Sequence, residues 1–289
     1  MAAVECPICH GSRWKSVDVD GVERVVRCDC WRSDLVSSFL KDARIPARYE
    51  RQDLSTFEPD TDSSREAYRV AARFADAFPV VDRGLLFHGR PGVGKTHLAI
   101  GILKEVIRSK GARAYFYETG ELLTEIRNTY NRSVEATEMS VLSPVLKAEL
   151  LVLDDLKVER ESEWVLETLG LVVNTRYNAK LPTIFTSNLE ESADSDQRNS
   201  FIFQLGARTR SRLREMCQWV RISGPDVRDV GPNPTAEAIE RWQRESPVSD
   251  QNIGRMQGEK PKSKMARARL KDPAAAELKW PGGRAGSLK

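Results

Sequence analysis

The sequence predicts an α/β fold: a doubly wound, parallel sheet of five strands, with a small cysteine-bound module ahead of it and a basic tail behind it. Three observations carry this. Five short apolar strands alternate with helical patterns between residues 65 and 222, an order that lays the strands in parallel with helices packed on them. A glycine-rich run, Gly89-Arg90-Pro91-Gly92-Val93-Gly94-Lys95-Thr96, follows the first strand and fits G-x-x-x-x-G-K-[ST] at every defined position. Four of the five cysteines lie within the first 30 residues, in two close pairs.

Taken in chain order, the cysteines come first. Cys6-Pro7-Ile8-Cys9 and Cys28-Asp29-Cys30 form a C-x-x-C and a C-x-C separated by 18 residues, the spacing of a zinc ribbon. Two thiolates from each pair, joined through a hairpin that turns near Gly21, would close a tetrahedral Cys₄ site. Bound Zn²⁺ can supply on the order of 10 kcal/mol of folding free energy, in place of a core that so short a segment cannot build. A redox pair, reduced bystander thiols, or His10 as a substitute ligand are the alternatives. Cys217 reads as a buried apolar residue.

Residues 32–44 follow as a short amphipathic helix through Leu35, Phe39, Leu40 and Ala43, stopped near Pro46, and a linker-like stretch runs on to about Ser64. Beyond it the pattern predicts helix 65–78, strand 84–88, helix 96–110 with an end at Gly111, strand 114–118 and helix 120–130. The segment 131–148 has no clear period. Strand 150–154, helix 161–178, strand 183–187, helix 199–215 and strand 218–222 complete the alternation, with a short helix at 235–245.

The glycine-rich run implies nucleoside triphosphate binding. Its glycines let successive N–H groups point at phosphate oxygens while the following helix N-terminus adds positive potential. Lys95 would hold the β and γ phosphates, and the Thr96 hydroxyl would ligate Mg²⁺. Glu149-Leu150-Leu151-Val152-Leu153-Asp154-Asp155 is an apolar strand ending in two carboxylates, with Asp154 at the Mg²⁺-water position and Asp155 where a general base would polarise the attacking water. Asp155 is shorter than the Glu common at that position, so slow basal hydrolysis is expected. Asn188 ends the next buried strand, Thr183-Ile184-Phe185-Thr186-Ser187-Asn188, within reach of a γ-phosphate or water. An arginine-dense helix follows, in which Arg208 and Arg212 share a face. An Asn-Lys-x-Asp guanine-specifying motif is absent, which weighs against a GTPase.

Composition bounds the rest. With 40% apolar and 30% charged residues, and no apolar run near 18 residues, neither a membrane span nor a signal peptide is supported, and a cytoplasmic protein with no membrane partner is expected. The net charge of +3 is unevenly spread. From Gln251 onward ten basic residues face three acidic ones, an excess of seven, so residues 1–250 carry −4. The tail reads as disordered, and its charge suits sequence-independent nucleic-acid contact.

In combination these residues resemble the helicase loaders of the DnaC and DnaI type and the similar IstB transposition ATPases, all AAA+ proteins. The resemblance rests on Ala43-Arg44-Ile45-Pro46-Ala47-Arg48-Tyr49, the phosphate loop, Leu150 to Leu156, Asn174-Thr175-Arg176-Tyr177, Leu181-Pro182-Thr183-Ile184 and Ser211-Arg212-Leu213, and covers roughly 43–230. It implies a 5-1-4-3-2 strand order, self-association side by side, ATP with Mg²⁺ as cofactors, and the replicative hexameric helicase and single-stranded DNA as partners. Arg212 falls at the family's trans-acting arginine finger and Arg228 at its sensor-2 arginine. The segment from Thr119 to Val145 corresponds to a DNA-facing insertion, with Phe116, Arg127, Tyr130 and Arg132 as candidate contacts. The chain departs from the pattern at Lys157, where loaders typically have Gly, in its long tail, and in lacking a clear helical lid after Arg228. The implied organisation is a Cys₄ module at 1–31, a helix and linker at 32–64, an AAA+ ATPase domain at 65–230 and a mostly disordered basic tail at 231–289. The implied function is ATP-dependent helicase loading, with residues 1–44 docking the helicase. The alternatives are a transposition helper and a zinc-dependent nucleic-acid adaptor whose ATP site is structural.

Overall fold

The computed structural model describes residues 6–10, 12, 14–19, 22–130, 137–157, 163–189 and 200–230, with isolated positions at 235, 237, 240 and 241. The expected helix at 235–245 lies largely outside these residues, and the tail from residue 242 onward wholly so.

The first paired elements are the strands β1 (Trp14–Val19) and β2 (Val22–Arg27), antiparallel with Trp14 opposite Arg27. Helix α1 (Cys30–Asp42) starts on the last clustered cysteine and carries Val36, Phe39 and Leu40 onto the main core. Ala43 is fully buried, and its carbonyl accepts from Phe116 N at 2.8 Å. Arg44 then lies over the Tyr117 ring at 4.4 Å and pairs with Glu125, so the chain is fastened against one edge of the sheet.

The sheet contains β3 (Gly84–His88), β4 (Ala114–Glu118), β5 (Leu150–Asp154), β6 (Thr183–Ser187) and β7 (Cys217–Arg221), all parallel. Their order is β4-β5-β6-β3-β7. Counting only these five, that is 5-1-4-3-2, as the resemblance implied. Every residue of β3, β5 and β6 is buried, which explains their unbroken apolar runs.

Alternate side chains of each strand feed two cores. On one face Leu85, Phe87, Phe116, Val152 and Ile184 meet α2 (Asp62–Ala77) and α3 (Lys95–Lys110). On the other, Leu86, Tyr117, Leu151, Leu153 and Phe185 meet α5 (Glu138–Lys147), α6 (Glu163–Asn178) and α7 (Phe201–Met216), together with α4 (Thr119–Asn128) between β4 and α5. The segment without a clear period thus contains a helix. Pro144 interrupts its pattern, and the Thr137 hydroxyl caps it by accepting from Ser140 N at 3.2 Å. Helix α7 is broken at Gly206, whose φ of +77° only glycine adopts readily. A single turn, α8 (Val227–Val230), follows β7.

The 45–64 stretch has no apolar period, yet it is packed along α3. Buried Lys104 donates to the carbonyls of Tyr49, Glu50 and Gln52 at 3.1, 2.6 and 2.7 Å, and Arg108 pairs with Asp53 at 2.6 Å. His97 donates to or accepts from this segment at Thr56 Oγ1 (3.1 Å) and meets the Phe57 ring edge-on. Thr61 and Ser64 then form a reciprocal capping box that starts α2.

Candidate functional site

The carboxyl ends of parallel strands are where a doubly wound sheet leaves its loops free to form a site. Here they open on a cleft of about 720 Å³, lined by Pro91 to His97, Asp154, Asp155, Thr186 and Asn188 on the sheet side. Arg48, Tyr49, Phe57, Glu58 and Asp60 line it from the stretch before α2, and Ser223 to Pro225, Val227 and Arg228 from the turn after β7.

The loop between β3 and α3 needs its glycines for steric reasons. Gly92 has φ +77°, and a Cβ there would fall 1.7 Å from Asp226 Oδ1. Gly94 has φ +91° and presses on the Phe57 ring, where a Cβ would come within 2.6 Å. Lys95 opens α3 and is buried, its Nζ donating to the carbonyls of Gly89 (2.9 Å) and Arg90 (2.7 Å). Burial pushes its ammonium down to about 8, against the pull of Asp154 and Asp155. Such a cation is held where anionic oxygens would compensate its lost hydration.

Asp154 is the hub. Its Oδ1 accepts from Thr96 Oγ1 at 2.8 Å and from Thr186 Oγ1 at 2.5 Å, while the Thr119 hydroxyl donates to its main-chain carbonyl at 2.8 Å. Burial raises the Asp154 carboxyl above its usual range, and the two hydroxyls oppose that shift. Thr96 and Asp154 therefore adjoin, as a shared Mg²⁺ site requires. Thr186 was quoted in the sequence only as part of its strand. Its hydroxyl also accepts from Asp155 N at 2.9 Å, so one side chain positions both acids. Nothing local singles it out, since Thr183 and Ser187 place two more hydroxyls on the same strand.

Asp155 sits just past β5 with φ +51°. Its Oδ1 accepts from Asn188 Nδ2 at 3.2 Å, and its Oδ2 pairs with Lys157 Nζ at 3.1 Å. Lys95, Thr96, Asp154, Asp155, Asn188 and Arg228 thus share one cleft. Arg212 is not among the cleft's lining residues: it lies over the Tyr177 ring at 5.9 Å on the α6–α7 side.

Among the candidate nucleic-acid contacts, Phe116 is corrected. It is 2% exposed, packed in the core against Tyr49, because the 43–49 segment covers the β4 edge. Arg127 and Tyr130 do reach one surface. Arg127 stacks on Trp164 at 5.0 Å, and Trp164 Nε1 donates to the Tyr130 hydroxyl at 3.2 Å. Arg132 lies outside the described residues.

Away from the cleft, the sulfurs of Cys6, Cys9, Cys28 and Cys30 lie within 4.8 Å of one another, with Cys6–Cys28 at 3.8 Å and Cys9–Cys30 at 3.4 Å. A disulfide would need about 2.05 Å. Tetrahedral zinc with Zn–S of about 2.3 Å separates its sulfurs by about 3.8 Å, so this donor set fits zinc. Cys217 is buried, as expected. Among the described residues, no helix is long and apolar enough to cross a membrane.

The profile of the family described as "IstB-like ATP binding protein" matches residues 23–224. Among curated proteins, the replicative helicase loader DnaC of Escherichia coli (strain K12) is 26% identical over 137 residues, which span 47% of this chain and 55% of that protein. The DnaC loader of Buchnera aphidicola subsp. Schizaphis graminum is 26% identical over 142 residues, 49% of this chain and 57% of its own length. The chain thus spans little more than half the length of these curated relatives. Among solved structures, a crystal structure of the DnaC helicase loader aligns with a TM-score of 0.55 at 33% identity, covering 62% of this chain and all of that one. A crystal structure of DnaI aligns at 0.51 and 26% identity, covering 63% and 94%.

Proposed function

Because the chain belongs to the DnaC/IstB-like family of AAA+ ATP-binding proteins, we propose that it is an ATP-dependent loader of the replicative hexameric helicase. ATP binding and side-by-side assembly set a state that holds the helicase and single-stranded DNA, and hydrolysis releases them. The observation that carries this reading is the Thr96–Asp154–Thr186–Asp155 chain of hydrogen bonds beside Lys95, in a protein whose relatives are named helicase loaders.

In this reading Gly89 to Gly94 wrap the triphosphate with backbone N–H groups, Lys95 holds its β and γ oxygens, and Arg228 contacts the nucleotide from the opposite wall. Thr96 and Asp154 hold Mg²⁺, which when bound offsets phosphate charge. Asp155 accepts the proton of the attacking water and Asn188 orients that water. Arg212 acts on the γ-phosphate bound by the neighbouring protomer. Its position outside the cleft of its own chain supports that role. Cys6, Cys9, Cys28 and Cys30 hold Zn²⁺, and the module they close docks the helicase. The Arg127–Trp164–Tyr130 cluster, with Tyr130 54% exposed, offers aromatic faces for stacking single-stranded bases.

The test is ATP-dependent capture of the helicase by the purified chain, with release on turnover. Arg212→Ala should bind ATP, lose stimulated turnover by about 10³-fold or more, and regain it in mixtures with Lys95→Ala, since one mixed interface keeps both residues. Turnover that is independent of concentration, with no rescue, speaks against assembly. The family description favours one second reading, a transposition helper. Capture of a transposase on duplex DNA, with no helicase bound, would select it.

A further inference from the structure

We propose that Lys157 is a built-in brake on ATP hydrolysis: its ammonium pairs with Asp155 and holds that carboxylate off the water it must activate. The inference rests on the hydrolytic reading of the cleft and adds its regulation.

The geometry around Asp155 is closed on three sides. The main-chain N–H is tied to Thr186 Oγ1 at 2.9 Å, which fixes where the side chain starts. Oδ1 accepts from Asn188 Nδ2 at 3.2 Å, and Oδ2 faces Lys157 Nζ at 3.1 Å. In hydrolysis the water oxygen bonds to the γ-phosphorus, and the bond from that phosphorus to the β–γ bridging oxygen breaks with its electron pair leaving on ADP. The water proton passes to Asp155 and then to the phosphate product. For that, Asp155 must present an oxygen to the water. The Asn188 amide can orient a water together with Asp155, since it offers a second N–H. The ammonium has no acceptor for a water proton, and holding Oδ2 it draws the carboxylate toward itself.

Two further features make this a restraint that can be released. The side chains of Lys157 and Asp155 are 38% and 30% exposed, so the pair can open without moving a charge into a dry interior. Glu118, opposite Asp154 in the sheet register, lines the same cleft; burial, then Glu121, Asp154 and Asp155, raise its carboxyl above the usual range, and nearby Lys157 opposes that shift. The ammonium is therefore attracted to a corner rich in acids, while Arg48, Lys95 and Arg228 are cations that line the cleft itself.

Single-turnover hydrolysis and ATP affinity should be measured on the full-length chain for wild type, Lys157→Met, Lys157→Gly, Asp155→Ala and Asp155→Ala/Lys157→Met. Both Lys157 variants are expected to hydrolyse about two- to five-fold faster, the scale set by one partly exposed ion pair, with unchanged ATP affinity. In the Asp155→Ala background the Lys157 change should do nothing. An unchanged or lower rate in both Lys157 variants, with wild type active, overturns the brake alone. So does equal acceleration in the Asp155→Ala background. ATP bound by every protein but hydrolysed by none overturns the brake together with the hydrolytic reading. ATP bound by none overturns the assignment of the cleft.

Discussion

The five-stranded sheet and the cysteine hairpin solve the same problem with different means. In the sheet, β3, β5 and β6 are buried along their whole length and sandwiched between two apolar clusters. In the hairpin, Trp14 and Val25 are 55% and 67% exposed, and the buried residues among those described are Cys9 and Cys28. Among its described residues, this strand pair buries no large apolar side chain, so it shows no core there of its own. What it has is four sulfurs gathered at one end, the last of them on the first residue of α1, which runs on into the main core. One region is held by burial, and the other, in the proposed reading, by zinc ligation. The nucleotide cleft belongs to the sheet, while the hairpin presents an exposed surface tethered by α1.

The sharpest way to break this comparison is to take away the metal. Zinc bound by Cys6, Cys9, Cys28 and Cys30 is expected at one ion per chain, contributing about 10 kcal/mol to the module. Chelation should unfold residues 6–28 with the thermal transition of the ATPase left in place. Metal analysis that finds no zinc in freshly reduced protein, or chelation that melts both regions together, would break it.

The sheet has its own indispensable polar residue. Arg176 is fully buried and donates to Thr183 Oγ1 and to the carbonyls of Val145, Ala148 and Pro182 at 2.7–3.0 Å. Burial alone lowers it to about 9. Arg176→Ala leaves those acceptors without a donor and is expected to cost about 3–5 kcal/mol in denaturant unfolding of the ATPase, with zinc content unchanged. A loss below about 1 kcal/mol would show that the acceptors find other partners.

A smaller effect sharpens the contrast through pH. His88 is buried beside Phe201 and Trp219, and burial, then the charges of Arg221, Arg214 and Lys95, lowers its pKa from 6.5 to about 4. Its neutral form is the folded one. Above pH 6.5 the residue is neutral in both states. As pH falls from 6.5 towards 4 the unfolded chain takes up a proton that the folded chain refuses, so up to about 3 kcal/mol is lost over that interval. His88→Leu should lose correspondingly less between pH 6.5 and 4 by urea midpoints. Identical acid profiles would remove His88 from the explanation.

Much of the sheet was legible because buried strands read as bounded apolar runs: the wholly buried β3, β5 and β6, and the mostly buried edge strand β4, lie at the predicted residues. The last strand, at the other edge and only partly buried, sits one residue earlier than its pattern indicated. Helix α5 was obscured by Pro144, and the packing of residues 45–64 by its dependence on Lys104, Arg108 and His97, residues distant in sequence. Phe116 was misread for a related reason. Nothing in β4 itself says that a remote segment will cover its edge. At the cleft, the phosphate loop and the paired acids could be read from local motifs. The linking role of Thr186 could not, because it is a contact between the ends of neighbouring strands, and the pairing of Lys157 with Asp155, two residues apart, could not because it depends on how the chain turns after β5.

The most direct measurement of the division between sheet and hairpin is an equilibrium titration of ATP with Mg²⁺ against three proteins: wild type, Lys95→Ala, and a variant with Cys6→Ser, Cys9→Ser, Cys28→Ser and Cys30→Ser. Wild type and the cysteine variant are expected to bind ATP alike. Lys95→Ala is expected to bind about a hundredfold more weakly, the scale of losing one buried charge contact. Equal affinity in Lys95→Ala, or loss of ATP binding in the cysteine variant, would contradict the placement of the nucleotide site in the sheet.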